Sequence, residues 1–381
     1  MTRETVPQGV VATGFEGVRD AFAAVMAAEA PDYAAQLAVY RHGTRVVDLW
    51  TGMAGDSLTG VFSSTKGAAY LVVALLVQDG VLDLDQRVSH YWPEFAAEGK
   101  GDVTLRELLA HRAGVVGADA GFTLEEVADD RVIAARLAAQ RPFWRPGAAF
   151  GYHGLSIGAL AGEVVFRATG QTLHQIYEAR VRAPHDLDFY LGLPESLEPR
   201  FLTTLPMQPT AEQQAQLDAI ATGPRSLSAI TYNRHVPGGP ELPALPNHRV
   251  VRAKGPASVG GVGAARGLAG MYAVAISGIA GRPPLLTAQT IADFGQIQSV
   301  GHNLVNRMHA VFAVGFQATD HVYPGLGQGA FGHGGAAGSQ AFADPRSGLA
   351  YGYARRRYAF PGGAGLENLR LVQAVCDAMG G

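Results

Sequence analysis

The stretch from Val61 to Gly80, VFSSTKGAAYLVVALLVQDG, places a serine three residues before a lysine. Residues three apart lie side by side on one face of a helix, so Ser63 and Lys66 should be neighbours if a helix begins here. A serine hydroxyl becomes a good nucleophile when a base removes its proton, and desolvation can keep a lysine neutral enough to be that base. The pattern predicts a nucleophile and its base; a helix-capping serine beside a solvated lysine is the alternative.

Two further observations select this pair. The chain has only three lysines, Lys66, Lys100 and Lys254, so a serine at this spacing from a lysine is uncommon in it. Ser64 lies two residues before Lys66, which places it around the helix and away from the amine. The spacing therefore favours Ser63 over Ser64.

A second candidate is Tyr152, in the stretch RPFWRPGAAFGYHGLSIGALAGEV. A tyrosine between a Pro-Gly turn and a helix can direct its phenol into a cleft. Near Lys66, that phenol would serve as a base or a proton relay. An ordinary half-buried tyrosine is the alternative.

A third candidate is the glycine-rich stretch GQGAFGHGGAAGSQAFADP, where His333 lies among glycines. Glycines let a backbone approach a ligand closely. Free N–H groups on such a strand edge can form half of an oxyanion hole. The alternative is a glycine-rich hairpin with an exposed histidine.

Taken in this order, the three stretches resemble the serine β-lactamase and penicillin-binding-protein superfamily, and within it the class C-like branch of family VIII carboxylesterases. LRELLAHRAGV is similar to that group's L-L-x-H-x-S-G-L segment, and WRPGAAFGYHGLSIGALAGEVV looks like its W-x-P-G-x-x-x-x-Y segment. FGHGGAAGSQAFADP resembles its G-H-G-G strand. The resemblance covers roughly residues 30 to 360.

The resemblance implies roles for individual residues. Ser63 is the acylated nucleophile, Lys66 is its base, and Tyr152 assists proton transfer to and from the serine and the leaving group. The backbone N–H groups of Ser63 and Ala336 would hold the oxyanion. His333, Gly334 and Gly335 are expected to contact the substrate. His153 is also expected to do so, because it lies next to Tyr152; a structural or pocket-lining role is the alternative.

Two departures from the family pattern bear on the substrate. Gly154 stands where the lactamase Y-x-N motif has asparagine, and His333 stands where the K-T-G motif has lysine. Both changes remove groups that bind a β-lactam, so weak or no β-lactamase activity and an ester or amide substrate are expected. Water as acceptor would make the chain an esterase; an amine or alcohol would make it a transacylase. A ligand-binding protein without turnover is a third possibility, which the intact Ser63, Lys66 and Tyr152 argue against.

Other residues are weaker candidates. Ser156 in GLSIG fits the nucleophile-elbow pattern, but a Pro/Gly turn precedes it where an α/β-hydrolase has a buried strand. The single cysteine, Cys376, cannot form a disulfide within the chain and lies in an amphipathic pattern. The 12 histidines form no metal-ligand motif. We therefore expect neither a metal nor a cofactor.

Patterns along the chain predict the elements that hold these residues. Thr104 and Glu107 form a capping box, which indicates a short helix after residue 104. The full set is a helix over 15–30, a hairpin over 35–52 turning at His42-Gly43, a helix from the serine–lysine stretch to Gly80, a loop over 81–95, helices over 123–139 and 155–180, a helix following the glycines at 260–263, strands over 309–317 and 340–357, and a helix over 365–379.

This order of elements predicts an α+β fold of the β-lactamase type. An antiparallel sheet flanked by the N- and C-terminal helices would be built from residues 1–60 and 255–381. A mostly helical lobe, residues 61–254, would be inserted between them, and the two lobes would form a single catalytic unit. Within that lobe, the segment 185–254 is rich in Pro, Thr and Gln, which suggests a cover over a pocket.

Composition limits the partners. The chain has 381 residues, 48% of them hydrophobic, and a net charge of −3 without a basic stripe, which argues against nucleic acid. The N-terminus lacks a signal-peptide pattern, and the longest apolar run, 68–77, is too short to cross a bilayer. We expect a cytoplasmic protein with no membrane partner that acts on a small ester or amide; its oligomeric state is left open.

Overall fold

The computed structural model describes residues 6–29, 32–220 and 223–380. Two sequence predictions fall partly outside these ranges: the N-terminus without a signal-peptide pattern, in residues 1–5, and the end of the first helix, at residue 30. In chain order the strands are β1 (Gln8–Val11), β2 (Ala35–Arg41), β3 (Thr44–Thr51), β4 (Thr59–Gly60), β5 (Phe189–Tyr190), β6 (Val262–Gly263), β7 (Ser299–His302), β8 (His309–Phe312), β9 (Gln317–Ala318), β10 (Phe331–Gly334), β11 (Gln340–Asp344) and β12 (Leu349–Arg355).

The helices are more numerous in the middle of the chain than at its ends. In chain order they are α1 (Glu16–Ala28), α2 (Lys66–Gln78), α3 (Val88–Tyr91), α4 (Leu105–Leu109), α5 (Leu124–Val127), α6 (Asp130–Ala139), α7 (Ile157–Thr169), α8 (Leu173–Tyr177), α9 (Ala211–Ala219), α10 (Leu227–Thr231), α11 (Arg249–Lys254), α12 (Ala265–Ile276), α13 (Ala288–Phe294) and α14 (Glu367–Ala378).

Nine strands form one antiparallel sheet in the order β1-β3-β2-β12-β11-β10-β9-β8-β7. Helices cover both faces of its centre, which explains why every residue of β11 and β12 is buried. On one face α1 and α14 pack through apolar residues such as Phe22 and Leu371, and on the other face α12 packs against β2, β11 and β12. The predicted α+β fold, with terminal helices flanking an antiparallel sheet, is confirmed.

The helical middle of the chain is organised around α2. This helix is apolar on all sides, and every residue from Lys66 to Leu76 is buried. A helix of this kind must be enclosed by other elements, because it has no polar face to present to water. The first turn of α2, which carries the predicted base, is consequently placed in the interior.

Several predicted elements match the structure closely. The hairpin of β2 and β3 turns at His42 and Gly43, which both have positive φ (47° and 77°), as a two-residue type I′ turn requires. The capping box at Thr104 is present, with Glu107 N donating to Thr104 Oγ1 at 3.2 Å and Thr104 N donating to the Glu107 carboxylate at 3.1 Å. Local sequence was sufficient here because the hydrogen bonds join residues close in the chain.

Three predicted boundaries are wrong. The helix expected over 123–139 is two helices, because the Asp129 side chain accepts hydrogen bonds from the N–H groups of Arg131 and Val132 and starts α6 anew. The helix expected over 155–180 is interrupted at Gly170, whose left-handed conformation (φ 73°) ends α7. The expected loop over 81–95 contains α3.

Strands of the large sheet come from residues 8–51 and 299–355, on either side of the helical middle. A second sheet, in the order β4-β6-β5, joins the beginning, middle and later parts of the chain. The lobe limits at residues 60 and 255 stay a prediction. In the described part of the chain, none of the helices has the length and apolar character needed to span a bilayer.

Candidate active site

Ser63 lies in a 3₁₀ turn, Phe62–Thr65, that leads directly into α2. The residue before it, Phe62, is fully buried and has φ +47°, a left-handed conformation that is rare for a bulky side chain. Such strain persists only where surrounding contacts impose it, and it is concentrated at functional sites. Ser63 is half-buried, whereas Ser64 and Thr65 are fully buried. Of these three hydroxyl residues, Ser63 is thus the one that solvent or a ligand can reach.

Lys66 makes three polar contacts through its amine. Nζ donates to the carbonyl oxygens of Gly154 at 2.8 Å and Ser258 at 2.7 Å, and it lies 3.0 Å from Ser63 Oγ. A neutral amine has two N–H groups and one lone pair. Because carbonyls can only accept, the two N–H groups are directed to Gly154 and Ser258, and the lone pair is left facing the Ser63 hydroxyl.

The environment of Lys66 favours this neutral form. The side chain is completely buried, and this burial holds the pKa of the amine well below the ordinary lysine value; the charge of Asp130 works in the opposite direction. The amine also lies 5.0 Å from the centre of the Tyr152 ring. The structure therefore brings Ser63, Lys66 and Tyr152 together.

Tyr152 is held by its backbone and leaves its hydroxyl available. Its N–H donates to Asn303 Oδ1 at 3.0 Å, and its ring stacks on Phe312. Burial raises the pKa of the phenol well above its ordinary value, Tyr232 adds to this, and the nearby Ser63 hydroxyl works in the opposite direction. Even so, Oη makes no hydrogen bond of good geometry within the described ranges. Its approach to Ser63 is a contact of a neutral phenol rather than a formed bond.

Two residues of the segment 185–254, here called the covering segment or cover, explain why a glycine occupies position 154. A Cβ on Gly154 would lie 2.9 Å from Thr231 Cγ2 and 3.0 Å from Tyr232 Cε1, both in or next to α10. A side chain at this position would therefore collide with the cover. Gly154 contributes its carbonyl to Lys66 instead of a side-chain amide to a substrate.

The glycine-rich turn after β10 is fastened to the nucleophile segment. Ser64 Oγ donates to the His333 carbonyl at 3.1 Å and lies 3.0 Å from Ser339 Oγ, which in turn donates to the Val61 carbonyl at 2.9 Å. A Cβ on Gly335 would be 2.2 Å from the Val61 oxygen, so only glycine permits this approach. Ser64 therefore joins the turn that leads into α2 to strand β10.

This fastening holds together the two segments that carry the predicted oxyanion donors. Ser63 and Ala336 are both half-buried, in contrast to their buried neighbours. Neither of their N–H groups donates a hydrogen bond to a residue that the structure describes. Two free N–H groups on facing segments are the arrangement that an oxyanion hole requires.

The whole-chain comparison identifies the family. Residues 19–373 match the family model described as Beta-lactamase. The chain belongs to the beta-lactamase family. The esterase/beta-lactamase LipL of Mycobacterium tuberculosis is 31% identical over 343 residues, which cover 85% of this chain and 77% of LipL.

Solved structures of this family place the chain beside esterases. The structure of EstA from Arthrobacter nitroguajacolicus Rue61a is 42% identical, with a TM-score of 0.89 over 97% of this chain and 98% of EstA. A family VIII carboxylesterase structure is 32% identical, with a TM-score of 0.86 over 98% of this chain and 99% of that one. The superfamily assignment made from the three motifs is thus confirmed.

His333, at the position of the family's lysine, is buried and neutral. Burial and the neighbouring Lys66 lower its pKa to about 3. Nδ1 lies 2.8 Å from the Gly334 carbonyl, and because a carbonyl only accepts, the proton of the neutral ring is on Nδ1. Nε2 is then an acceptor, buried and without a partner among the residues described. The position therefore offers a lone pair where a lysine would offer a positive charge.

His153 is a structural residue in this beta-lactamase-family site. It is fully buried, its Nδ1 donates to the Gly151 carbonyl at 2.7 Å, and its Nε2 accepts from Val115 N at 3.2 Å. Both ring nitrogens are therefore occupied. This placement does not support the substrate contact predicted for His153. Gly334 is also buried, and Gly335 acts through close packing on Val61.

The weaker candidates have structural roles as well. Ser156 precedes α7, is buried, and donates to the Val115 carbonyl at 3.0 Å, so it is not at a nucleophile elbow. Cys376 is buried on α14, beneath the sheet. Among the described residues there is no cluster of three or more His, Cys, Asp or Glu side chains that could hold a metal ion.

Sequence reasoning missed three residues that position the site. Ser258 supplies a carbonyl to Lys66, Asn303 holds the backbone of Tyr152, and Ser339 links Ser64 to Val61. Ser339 lies in the glycine-rich stretch that carries His333, so its hydroxyl is a signal present in the sequence. Ser258 and Asn303 act across long sequence separations and belong to no pattern that the sequence displays.

Proposed function

We propose that the protein is a serine carboxylesterase that acts through an acyl-enzyme on Ser63. The observation that carries the proposal is the amine of Lys66, buried between two carbonyls with its lone pair toward Ser63 Oγ at 3.0 Å. The similarity to proteins named as esterases, at 31–42% identity over most of each chain, supports an ester as the substrate.

In the acylation step, the Ser63 hydroxyl proton moves to Lys66 Nζ while Oγ forms a bond to the ester carbonyl carbon. Negative charge then develops on the carbonyl oxygen, where the N–H groups of Ser63 and Ala336 would stabilise it. The neutral Tyr152 phenol is suited to donate a proton to the leaving alkoxide, and the Lys66 ammonium returns a proton to the phenol. The products of this step are the alcohol and an ester of Ser63.

In the second step, an acceptor attacks the acyl-enzyme. Water loses a proton to the Lys66–Tyr152 pair and forms the carboxylic acid, and a proton returns to Ser63 Oγ as the bond to the acyl group breaks. An amine or alcohol would follow the same path and give an amide or a new ester. Transacylation is therefore the alternative to hydrolysis at the same site, and the two differ only in the acceptor.

The departures from the lactamase pattern support an ester rather than a penicillin. Position 154 has no side-chain amide to bind a lactam amide, and the cover closes the space that such a side chain would need. The neutral His333 gives no positive charge to a carboxylate. Tyr358, which packs edge-on against the buried Phe62, and Tyr232, which packs beside Tyr152, are only partly buried, and their rings supply aromatic surface that fits an apolar acyl or alcohol group.

The test uses p-nitrophenyl acetate and butyrate with wild-type protein, Ser63→Ala and the matched control Ser156→Ala. We expect turnover by the wild type and the control, a loss of more than about 10³-fold in Ser63→Ala, and a transient acyl mass on the Ser63 peptide. Nitrocefin should be a far poorer substrate than either ester.

The other outcomes are equally informative. A new amide formed when an amine is added would favour the transacylase. A stable acyl adduct without turnover, even with added amines, would indicate a ligand-binding protein. Activity that survives in Ser63→Ala and is lost in Ser156→Ala would overturn the assignment of the nucleophile.

A further inference from the structure

The loop over residues 255–261, here called the lysine loop, connects α11 to β6 and lies against the nucleophile segment. Its Ser258 carbonyl accepts the 2.7 Å hydrogen bond from Lys66 Nζ. Its Gly261 carbonyl accepts from Val61 N at 3.0 Å, and Gly261 N donates to Thr65 Oγ1 at 2.9 Å. The position of this loop therefore determines where one of the two acceptors of the Lys66 amine lies.

The far side of the lysine loop is held by the beginning of α6. Asp130 Oδ2 accepts a hydrogen bond from Ala257 N at 2.8 Å, one residue before Ser258. Asp129 Oδ2 pairs with Lys254 Nζ at 2.8 Å, just before the loop. Asp129 is already explained as the cap of α6, whereas Asp130 has no capping role.

Asp130 is unusual because only one of its two carboxylate oxygens accepts a hydrogen bond. Its Oδ1 is buried and has no hydrogen-bond partner among the described residues. An unsatisfied buried carboxylate oxygen is costly, and burial accordingly raises the pKa of Asp130. A residue that only held the loop in place could be neutral, as an asparagine is, and would have a smaller desolvation cost.

The charge of Asp130 acts on Lys66, the proposed base. Attraction between Asp130 and Lys66 favours the charged form of each, lowering the carboxyl pKa and raising the amine pKa against the effect of burial. A surface cavity of about 410 Å³ is lined in part by Asp130. The charged or titratable groups near Asp130 are Asp129 before α6, Lys66 on α2, His174 on α8 and Lys254 on α11. Arg131 and Glu163 line the same cavity and pair with each other at 3.7 Å.

We propose that Asp130 is a positioning residue for the base: it places the Ser258 carbonyl on Lys66 and stabilises the ammonium that forms when Ser63 gives up its proton. The proton moves from Ser63 Oγ to Lys66 Nζ, so a positive charge appears in a fully buried place. The two carbonyls supply only dipoles there, and Asp130 supplies the opposite charge. This inference rests on the proposed function.

The test is the pH dependence of kcat/KM for p-nitrophenyl butyrate. Activity should rise with pH as Lys66 loses its proton, because the neutral amine is the base. Asp130→Asn keeps an oxygen for Ala257 N but removes the charge, so the ammonium becomes less stable and the midpoint should move to lower pH by about one unit. A fall in kcat of roughly tenfold should accompany the shift, since the ammonium formed in acylation has lost its counter-charge.

Two variants serve as comparisons. Asp129→Asn removes the same charge one residue earlier, keeps a residue that caps a helix equally well, and should leave the midpoint within about 0.2 units of the wild type. Asp130→Glu keeps the negative charge but moves the carboxylate oxygen that accepts from Ala257 N. The midpoint should therefore equal the wild-type value, while kcat should be reduced. If Asp130→Asn does not fold, Asp130→Ser removes the charge and retains a small acceptor.

An unchanged midpoint in the folded, charge-free variant would overturn the inference, as would an equal shift in Asp129→Asn. A loss of stability and kcat without a shift would mean that Asp130 only fastens the loop. Failure of the proposed function is seen separately, as absence of turnover and of any Ser63 adduct in the wild-type protein.

Discussion

The carbonyl of Gly154 accepts a hydrogen bond from Lys66 Nζ at 2.8 Å, so the residue that stands at the position of the lactamase asparagine contacts Lys66 through its backbone. The side chain that was lost from this position is replaced in space by Thr231 and Tyr232 of the covering segment. One sequence difference therefore has two consequences: position 154 has no side-chain amide, and Thr231 and Tyr232 can pack directly on the residue whose carbonyl holds Lys66 Nζ.

Gly154→Ala tests this arrangement. The added Cβ would meet Thr231 and Tyr232 at about 3 Å, so we expect a loss of about 1–3 kcal/mol in the free energy of unfolding and a lower kcat. Gly162→Ala on α7 is the matched control, because nothing lies within 4 Å of its Cβ. There the helix should gain about 0.5–1 kcal/mol and activity should be unchanged. Equal stability of the two variants in urea would contradict the close contact.

Tyr152→Phe should separate activity from stability. Its hydroxyl is buried without a good hydrogen bond, so removal should leave the free energy of unfolding unchanged or slightly improved. Loss of proton transfer to the leaving group should lower kcat on the order of 10² to 10⁴-fold. Urea unfolding and ester kinetics on the same preparation check both expectations.

Tyr351→Phe is the comparison for Tyr152→Phe. The Tyr351 hydroxyl donates to Asn368 Oδ1 at 2.8 Å, in the layer between the sheet and α14. Removing it should cost about 1–3 kcal/mol of stability and leave kcat near the wild-type value. The assignment of Tyr152 fails if both variants lose stability equally and neither loses activity.

Adjacent serines should give opposite results. Ser64→Ala removes the hydrogen bond that joins the turn before α2 to β10, and the contact with Ser339, so unfolding should become easier by about 1–2 kcal/mol while activity falls less than roughly tenfold. Ser63→Ala should show the reverse, with unchanged stability and no turnover. Thermal unfolding and a fluorophosphonate label followed by mass spectrometry measure the two effects.

Buried neutral histidines should make the protein sensitive to mild acid. Burial lowers the pKa of His333 to about 3 and of His153 to about 4, and it holds that of His111 well below the ordinary value of 6.5. Below about pH 6.5 the unfolded chain binds protons that the folded chain does not. Stability therefore falls as the pH drops from about 6.5 towards 3 to 4.

His333→Gln removes one of these groups. The slope of unfolding free energy against pH between 4 and 6 should become shallower by up to about 1.4 kcal/mol per pH unit, the value for one proton. His321→Gln, at an exposed position, should leave the slope unchanged. Urea titrations at several pH values give the slope, and a steeper slope in His333→Gln would show that the sign is wrong.

The parts of the fold that the sequence predicted well are those in which neighbours along the chain decide the outcome. The turn at His42-Gly43 and the capping box at Thr104 depend on residues two or three apart. The split at Asp129 depends on local capping too, but the apolar pattern continued across it and concealed the break. Gly170 acted similarly, because a single left-handed residue interrupts an otherwise helical pattern.

Within the candidate site, spacing along one helix turn was enough to select Ser63 and Lys66. The local contexts of Tyr152 and His333 marked them as candidates, the family resemblance added Ala336, and the structure brings the rings of Tyr152 and His333 to within 5.8 Å of each other, measured between ring centres. The expectation for His153 came from its position next to Tyr152. The structure does not support this expectation, because the ring of His153 is directed into the interior, where its two nitrogens bond the backbone of Val115 and Gly151.

The sequence by itself determined the chemical types and their order: a serine three residues before a rare lysine, then a tyrosine, then a glycine-rich strand with a histidine, on an α+β chain of the β-lactamase type. Only the tertiary structure decided what surrounds the amine of Lys66. The carbonyls of Gly154 and Ser258 and the charge of Asp130 come from segments 64 to 192 residues distant from it. Backbone carbonyls carry no sequence signature, and the protonation state of a lysine depends on what is packed around it.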